Sequence, residues 1–226
     1  MPTNTVTPLR QPTLVDDLLS EVGHALQVLG GRLPAQRPNP ADQLSQADSD
    51  QAEAALSDAD KRHAAGLMRV NHVGEICAQA LYRGQAMFCK NAAVQDVFLE
   101  AATEEVDHLV WCHDRLQELS SRASVFNPLW YAGSFTLGLI ASRASVAYNL
   151  GFMAETERQV EEHLDGHIEA LPAQDARSRA IVAQMRLDEI EHRTTAEDKG
   201  SRKLPLPIRL AMRGMSKVMT TTAYRL

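Results

Sequence analysis

Glu105-Val106-Asp107-His108 and Glu189-Ile190-Glu191-His192 are two copies of one pattern, Glu-x-x-His, set far apart in the chain. Residues three apart on a helix project from one face, so each Glu and His can grip the same ion. Each copy falls in the second member of a predicted helix pair. The first member of each pair carries a further acid, Glu75 or Glu157, at a nearly equal distance ahead. Four carboxylates and two imidazoles in two half-sets suit a carboxylate-bridged pair of irons better than a single ion. Carboxylates are hard donors that bridge ions, and imidazole adds a neutral nitrogen that suits iron. A bundle interior does not tolerate four unpaired carboxylates, so metal binding and folding should be coupled. No cysteine joins the set, which argues against zinc or an iron–sulfur cluster. A site of this composition activates dioxygen.

Working outward, four long helical segments are predicted: about 57–90, 92–120, 144–169 and 174–198. Ser57, with Asp60 three residues on, marks the first start. Pro172 and Gly200 mark the ends of the third and fourth. Two Glu helices alternate with two Glu-x-x-His helices, a pseudo-repeat in ligand spacing alone. Ahead of them, residues 1–12 carry no structural signal and read as disordered. Thr13 to Leu29 reads as a short amphipathic helix with Leu14, Leu18, Val22, Leu26 and Leu29 in one stripe. Pro34, Pro38 and Pro40 mark a linker that wraps the outside or stays mobile. The organisation expected is an N-terminal extension over 1–56 and one metal-binding domain over 57–226.

Between the second and third helices runs an uncharged stretch, Ala123 to Ser142. Its length approaches that of a membrane span, but Asn127, Pro128, two glycines and several serines dilute it. A long crossover with one apolar face on the bundle or on a membrane surface fits better. Pro205 to Leu226 holds Arg209, Arg213, Lys217 and Arg225 and no acid, with Leu210, Met212, Met215, Val218 and Met219 as apolar surface. This basic amphipathic helix suits an anionic lipid interface or a docked position on the domain.

The 226 residues are 44% hydrophobic and only 5% aromatic, a composition that favours helices over a sandwich or barrel. A net charge of −6, with no basic stripe, excludes a nucleic-acid partner. Cys77, Cys89 and Cys112 form no Cys-x-x-Cys and read as free thiols of a reducing compartment. The N-terminus has neither a signal-peptide core nor the character of an Arg-rich transit peptide.

Several residues compete around the candidate ligands. Glu155, Glu161 and Glu162 rival Glu157. His163 and His167 form an i, i+4 pair that could bind zinc but lacks an evident further partner. His72, three before Glu75, is a candidate to support the ligands from behind, and Asp107 and Glu191, each one before a candidate ligand histidine, read either as such supports or as merely solvated.

At Arg69-Val70-Asn71-His72-Val73-Gly74-Glu75, continuing Ala78-Gln79-Ala80-Leu81-Tyr82-Arg83-Gly84-Gln85, the chain resembles the demethoxyubiquinone hydroxylase family. The match continues through Glu105 to His108, Pro128-Leu129-Trp130, Glu157 with His163, and Asp188 to His192, covering about 57–226. The N-terminus looks bacterial-type rather than mitochondrial. The resemblance implies an all-α, ferritin-like four-helix bundle with a long crossover, to which the reading of the residues adds N- and C-terminal amphipathic helices. It implies that Glu75, Glu105 and His108 hold one iron and Glu157, Glu189 and His192 the other, with Glu105 and Glu189 as bridges. It selects Glu157 over its neighbours. The chain departs from the family's usual pattern at Asn71, where many members have Asp, and at Leu164, where many have Tyr.

By the same resemblance the activity is an oxygen-dependent monooxygenase reaction that hydroxylates the ring of a polyprenyl methoxy-methyl-benzoquinol, 3-demethoxyubiquinol, to 3-demethylubiquinol in ubiquinone biosynthesis. The cofactors implied are two iron ions, with dioxygen as co-substrate. No Gly-x-Gly-x-x-Gly fingerprint is present, so NADH has no Rossmann site. The reductant is left open between NADH bound otherwise, a reductase and the quinol itself. A prenylated substrate places the enzyme peripherally on the cytoplasmic face of the cell membrane. The other partners to be expected are further ubiquinone-biosynthesis proteins and a second copy of the chain. Rival readings are a ferritin-like peroxidase or ferroxidase and a non-catalytic quinone- or lipid-binding scaffold.

Overall fold

A computed structural model describes residues 13–45, 54 and 56–226. The expectation of disorder over residues 1–12 lies outside this range. Among the described residues all regular structure is helical: α1 (Leu14–Leu29), a 3-10 turn (Pro40–Gln43), α2 (Asp58–Met87), α3 (Ala92–Glu118), α4 (Asn127–Ser142), α5 (Val146–Ala170), α6 (Ala176–Asp198) and α7 (Leu206–Arg225).

The starts are chemically defined. Thr13 and Asp16 form a reciprocal capping box on α1, and Ser57 and Asp60 another on α2. Ser145 caps α5 and Asp175 caps α6 by accepting from the backbone N–H three residues on. These two caps start α5 and α6 slightly later than the sequence spacing predicts. Ser120, at φ 53, and Gly200, at φ 92, turn the chain out of α3 and α6.

Helices α2, α3, α5 and α6 form the four-helix bundle, with α2 against α3 and α5 against α6 as the closest pairs. Two apolar layers lie at opposite ends of it. One is built around Met68, Trp111, Leu116, Leu164, Ile181 and Met185. The other is built around Tyr82, Phe98, Leu150, Met153 and Ala196. The bundle halves are pinned by buried polar pairs. Gln85 Nε2 donates to the Asn149 carbonyl and to Asn149 Oδ1, both at 2.8 Å. Arg115, fully buried, reaches Asp175 Oδ1 at 2.9 Å and Ser178 Oγ at 2.9 Å. Satisfying these groups in both halves fixes the register of the bundle, because each would be costly if left unpaired.

The uncharged crossover is helix α4, and it lies along α2 as expected rather than across a bilayer. Gly84 and Gly138 make this approach possible. A Cβ on Gly138 would sit 2.2 Å from the Leu81 carbonyl oxygen, so the two backbones meet with no side chain between. No helix of the described residues is long and apolar enough to cross a membrane. Flanking α4, helix α1 packs Val28 beside Tyr131 and Phe135, and α7 packs Met219 and Ala223 beside Trp130 and Val70. Arg83 Nη2 ties α1 to the bundle through Glu21 at 2.6 Å.

The proline-marked linker wraps the bundle. Ala41 is fully buried in the first apolar layer, and Arg177 of α6 reaches its carbonyl oxygen at 3.3 Å.

Candidate metal centre

The six candidate ligands converge between the two apolar layers. Glu75 comes from α2, Glu105 and His108 from α3, Glu157 from α5, and Glu189 and His192 from α6, and all six are buried. Their donor atoms form two groups, Glu75, Glu105, His108 and Glu189, and Glu105, Glu157, Glu189 and His192. Within each group the atoms lie within 4.8 Å of one another. Glu105 and Glu189 belong to both groups.

The imidazoles are oriented alike. His108 turns Nδ1 towards the carboxylates, 3.0 Å from Glu105 Oε2, 3.6 Å from Glu75 Oε2 and 3.5 Å from Glu189 Oε1. His192 Nδ1 lies 3.5 Å from Glu105 Oε1, 3.8 Å from Glu157 Oε1 and 3.4 Å from Glu189 Oε2. Behind each ring, Nε2 is held by an acid from the opposite half. Asp188 Oδ2 lies 2.8 Å from His108 Nε2, and Glu104 Oε2 lies 2.9 Å from His192 Nε2. A carboxylate behind the ring fixes its tautomer, leaving the inward nitrogen free to bind an ion.

The electrostatics are those of a site that expects a cation. Burial and the neighbouring Glu105 carboxylate push the Glu75 carboxyl well above its usual range. Burial, then Glu189 and Glu105, do the same to Glu157. Burial also acts to raise Glu105, but the hydrogen bond from His108 and the close approach of His192 outweigh it and hold this group low. Burial would lower His108, yet hydrogen bonds to Asp188, Glu105, Glu189 and Glu75 raise it well above the ordinary imidazole value. Protons therefore do part of the charge compensation that metal ions would do. Glu105 Oε1, Glu157 Oε2, Glu189 Oε2 and His192 Nδ1 are buried with no hydrogen-bond partner. Buried polar atoms rarely stay unpaired, and four such atoms on four clustered residues fit a cation-binding site. The donor set, oxygen-rich with one nitrogen per group, fits iron.

Glu157 is the acid of its neighbourhood that faces the centre. Glu155 is engaged by Arg158, Glu161 by Arg193, and Glu162 by Arg158 and Arg213. His163 and His167 sit elsewhere, their rings 3.9 Å apart, in a cleft lined also by Arg213 and Lys217. His72 packs its ring 5.9 Å from that of His113, and its Nδ1 is unpartnered. Leu164 belongs to the apolar core, and Asn71 is buried with its Oδ1 unpartnered.

The supporting acids are not those expected. Glu191 is exposed. Asp107 is buried but faces away from its own histidine. It accepts from the Gln36 N–H at 2.6 Å and from Arg37 Nε at 2.8 Å. The supporting pair is Glu104 and Asp188, each one residue before a ligand glutamate. A signal existed, since both copies read acid-Glu-x-x-His. Tyr82 was also missed: its phenol, buried, donates to Glu157 Oε1. Arg37 lay in a segment read as a linker.

A four-helix bundle whose core brings four carboxylates and two histidines into two groups that share two members defines a class, the carboxylate-rich metal-binding bundle proteins. The family model described as "Ubiquinone biosynthesis protein COQ7" matches residues 62–223, and the chain belongs to this family. It is 60% identical over 210 residues, 93% of this chain and 92% of the relative, to a protein of Bordetella pertussis named 3-demethoxyubiquinol 3-hydroxylase. Proteins of the same name from Bordetella avium and Xanthomonas euvesicatoria pv. vesicatoria are 63% and 52% identical, over 94% and 98% of this chain and 95% and 99% of theirs. Matches of this extent are too long to lie within 57–226 alone. The likeness therefore takes in part of the N-terminal segment, where the sequence reading found none.

Proposed function

We propose that this chain is a hydroxylase of ubiquinone biosynthesis that hydroxylates 3-demethoxyubiquinol with dioxygen at a carboxylate-bridged di-iron centre. The names of its relatives support the reaction. The observation that carries the centre is the sharing of Glu105 and Glu189 between two buried donor groups.

In this reading Glu75 and His108 hold one ion, Glu157 and His192 the other, and Glu105 and Glu189 lie between. When bound, iron supplies the redox chemistry that activates dioxygen. The chain's own part is positional. Asp188 and Glu104 keep both imidazoles turned inward, Tyr82 steadies Glu157, and the two apolar layers exclude bulk water from the reacting space.

The substrate's prenyl tail belongs in lipid, and the outer side of α2 suits such a partner. Helices α1, α4 and α7 lie there and expose Leu14, Val15, Leu19, Leu129, Ile140, Leu210 and Val218 to solvent. Arg209, Arg213 and Lys217 of α7 form a cationic stripe on its side towards α5, near Glu155, Glu162 and His163, and a basic stripe beside exposed apolar groups suits an anionic membrane interface. The enzyme then works as a peripheral protein of the cytoplasmic membrane face.

The test is to load the protein anaerobically with ferrous iron and count metal per chain. Demethoxyubiquinol, dioxygen and a reductant are then added, and the ring is examined by mass spectrometry. Two irons with hydroxylated product are expected. Two irons without product, with every reductant tried, would move the reading to a ferritin-like peroxidase or ferroxidase. No iron would leave the quinone-binding scaffold.

A further inference from the structure

Arg37 belongs to the N-terminal segment, ahead of the residues that the family model matches. It nevertheless reaches the metal centre. Its Nη2 lies 2.8 Å from Asp188 Oδ2, the same oxygen that faces His108 Nε2. Its Nε lies 2.8 Å from Asp107 Oδ2 on α3, and the Gln36 N–H donates to the other oxygen of that carboxylate. The guanidinium carbon stands 4.9 Å from the centre of the Trp111 ring, which in turn packs 5.4 Å from the His108 ring. One side chain thus joins α3, α6 and the segment before the bundle directly behind His108.

The other imidazole has no hydrogen-bonded clamp of this kind, although the Arg37 charge is also felt by Glu104. His192 Nε2 meets Glu104, whose side chain is 49% exposed, against 9% for Asp188. Beside Glu104 a cleft of about 360 Å³ opens to solvent, lined by Gln36, Asp96, Leu99, Glu100 and Thr103. Asp188 has Gln184 as a further donor at 2.8 Å. The two donor groups are matched in their ligands and unequal in what stands behind them.

We propose that Arg37 is a positioning residue that clamps Asp188 against His108, making the ion held by His108 the retained one and the ion held by His192 the exchangeable one. This rests on the di-metal reading above. The physical ground is that a metal-bound histidine is fixed by the group on its far nitrogen, and loss of that group weakens metal binding about 10- to 100-fold. A partly buried guanidinium that bridges two carboxylates by charge-assisted hydrogen bonds, here Asp188 and Asp107, restrains each more firmly than water does.

The experiment follows iron release from the full-length ferrous protein, kept anaerobic, into excess chromogenic chelator. Two phases of equal amplitude are expected for the unaltered chain. Arg37→Met keeps an unbranched side chain and removes the charge. It should speed the slow phase about 10- to 100-fold and the fast phase far less. Arg37→Lys should fall between. Asp188→Asn should reproduce Arg37→Met, and the double variant should release no faster than either single one, because both act through one contact. Glu104→Gln should speed only the fast phase.

Thermal unfolding of each metal-free variant separates a clamp from a general loss of structure. A single release phase, a slow phase indifferent to Arg37→Met, or equal acceleration of both phases would overturn the proposal while leaving the di-metal reading intact. A chain that takes up no iron at all would overturn both.

Discussion

The phenol of Tyr82 donates its hydrogen to Glu157 Oε1 where both side chains are fully buried. Glu157 Oε2 is the atom left without a partner. The tyrosine therefore holds the carboxylate by one oxygen, the one that also stands 3.8 Å from His192 Nδ1. Tyr82→Phe preserves the ring and removes the donor, leaving a buried acceptor unsatisfied at a cost of about 1–3 kcal/mol. We expect a lower Tm for the metal-free protein and weaker affinity for one of two ferrous ions, read by equilibrium titration. Unchanged affinity for both would mean that Glu157 needs no orienting.

Because Glu189 belongs to both donor groups, Glu189→Ala should lose both ions together with the hydroxylation. Glu75→Ala, which touches one group only, should lose one. Metal counting on the purified variants decides the matter. Full occupancy and full activity in Glu189→Ala would sink the assignment of this residue.

Charge reversal on α7 should weaken membrane binding. Arg213 already leans on Glu162 at 3.3 Å, and Arg209 is partly buried, so Lys217 should contribute most. We expect Arg209→Glu, Arg213→Glu and Lys217→Glu together to reduce co-sedimentation with anionic vesicles, and Lys217→Glu alone to account for much of it. The difference should shrink as salt is raised. Co-sedimentation that does not change would count against α7 as a lipid-facing element.

Acid should destabilise the fold through histidines outside the metal centre. Burial and the nearby His113 push His72 down to about 3, burial and Lys217 push His163 down to about 4, and burial and His163 push His167 down to about 3. At pH 7 all three are neutral in the folded state and mostly neutral in the unfolded one. Below about 6.5 the unfolded chain takes up protons that the folded rings refuse, so stability falls as pH falls. The loss runs at about 1.4 kcal/mol per ring for each pH unit and levels off below the folded value. Urea unfolding of the metal-free protein between pH 7 and pH 4 measures the slope, and His167→Gln should make it shallower.

The convergence of the six candidate ligands was legible because helix geometry converts spacing into facing. Glu105 with His108, and Glu189 with His192, could be paired by period alone. Glu157 could not be told from Glu155, Glu161 and Glu162 by period. What separates them is that Arg158, Arg193 and Arg213 claim the other three, and those pairings depend on tertiary neighbours. The supporting acids failed for a related reason. Asp107 and Glu191 are beside the ligand histidines in sequence, but a step of one residue turns about 100° around a helix and points them elsewhere. Support came instead from across the bundle. Arg37 was illegible because nothing in a proline-marked linker predicts where its side chains land.

The crossed support of the two imidazoles makes the halves of the molecule obligate complements. Asp188 and Glu189 are adjacent on α6, and Glu104 and Glu105 are adjacent on α3. Each helix thus carries, side by side, one shared carboxylate and the brace for the other helix's ring. A fragment ending in the crossover would own a ligand histidine with no brace, and so would the fragment after it. Severed there, neither piece could rehearse the centre alone, and a metal ion would be the reagent that drives them back together.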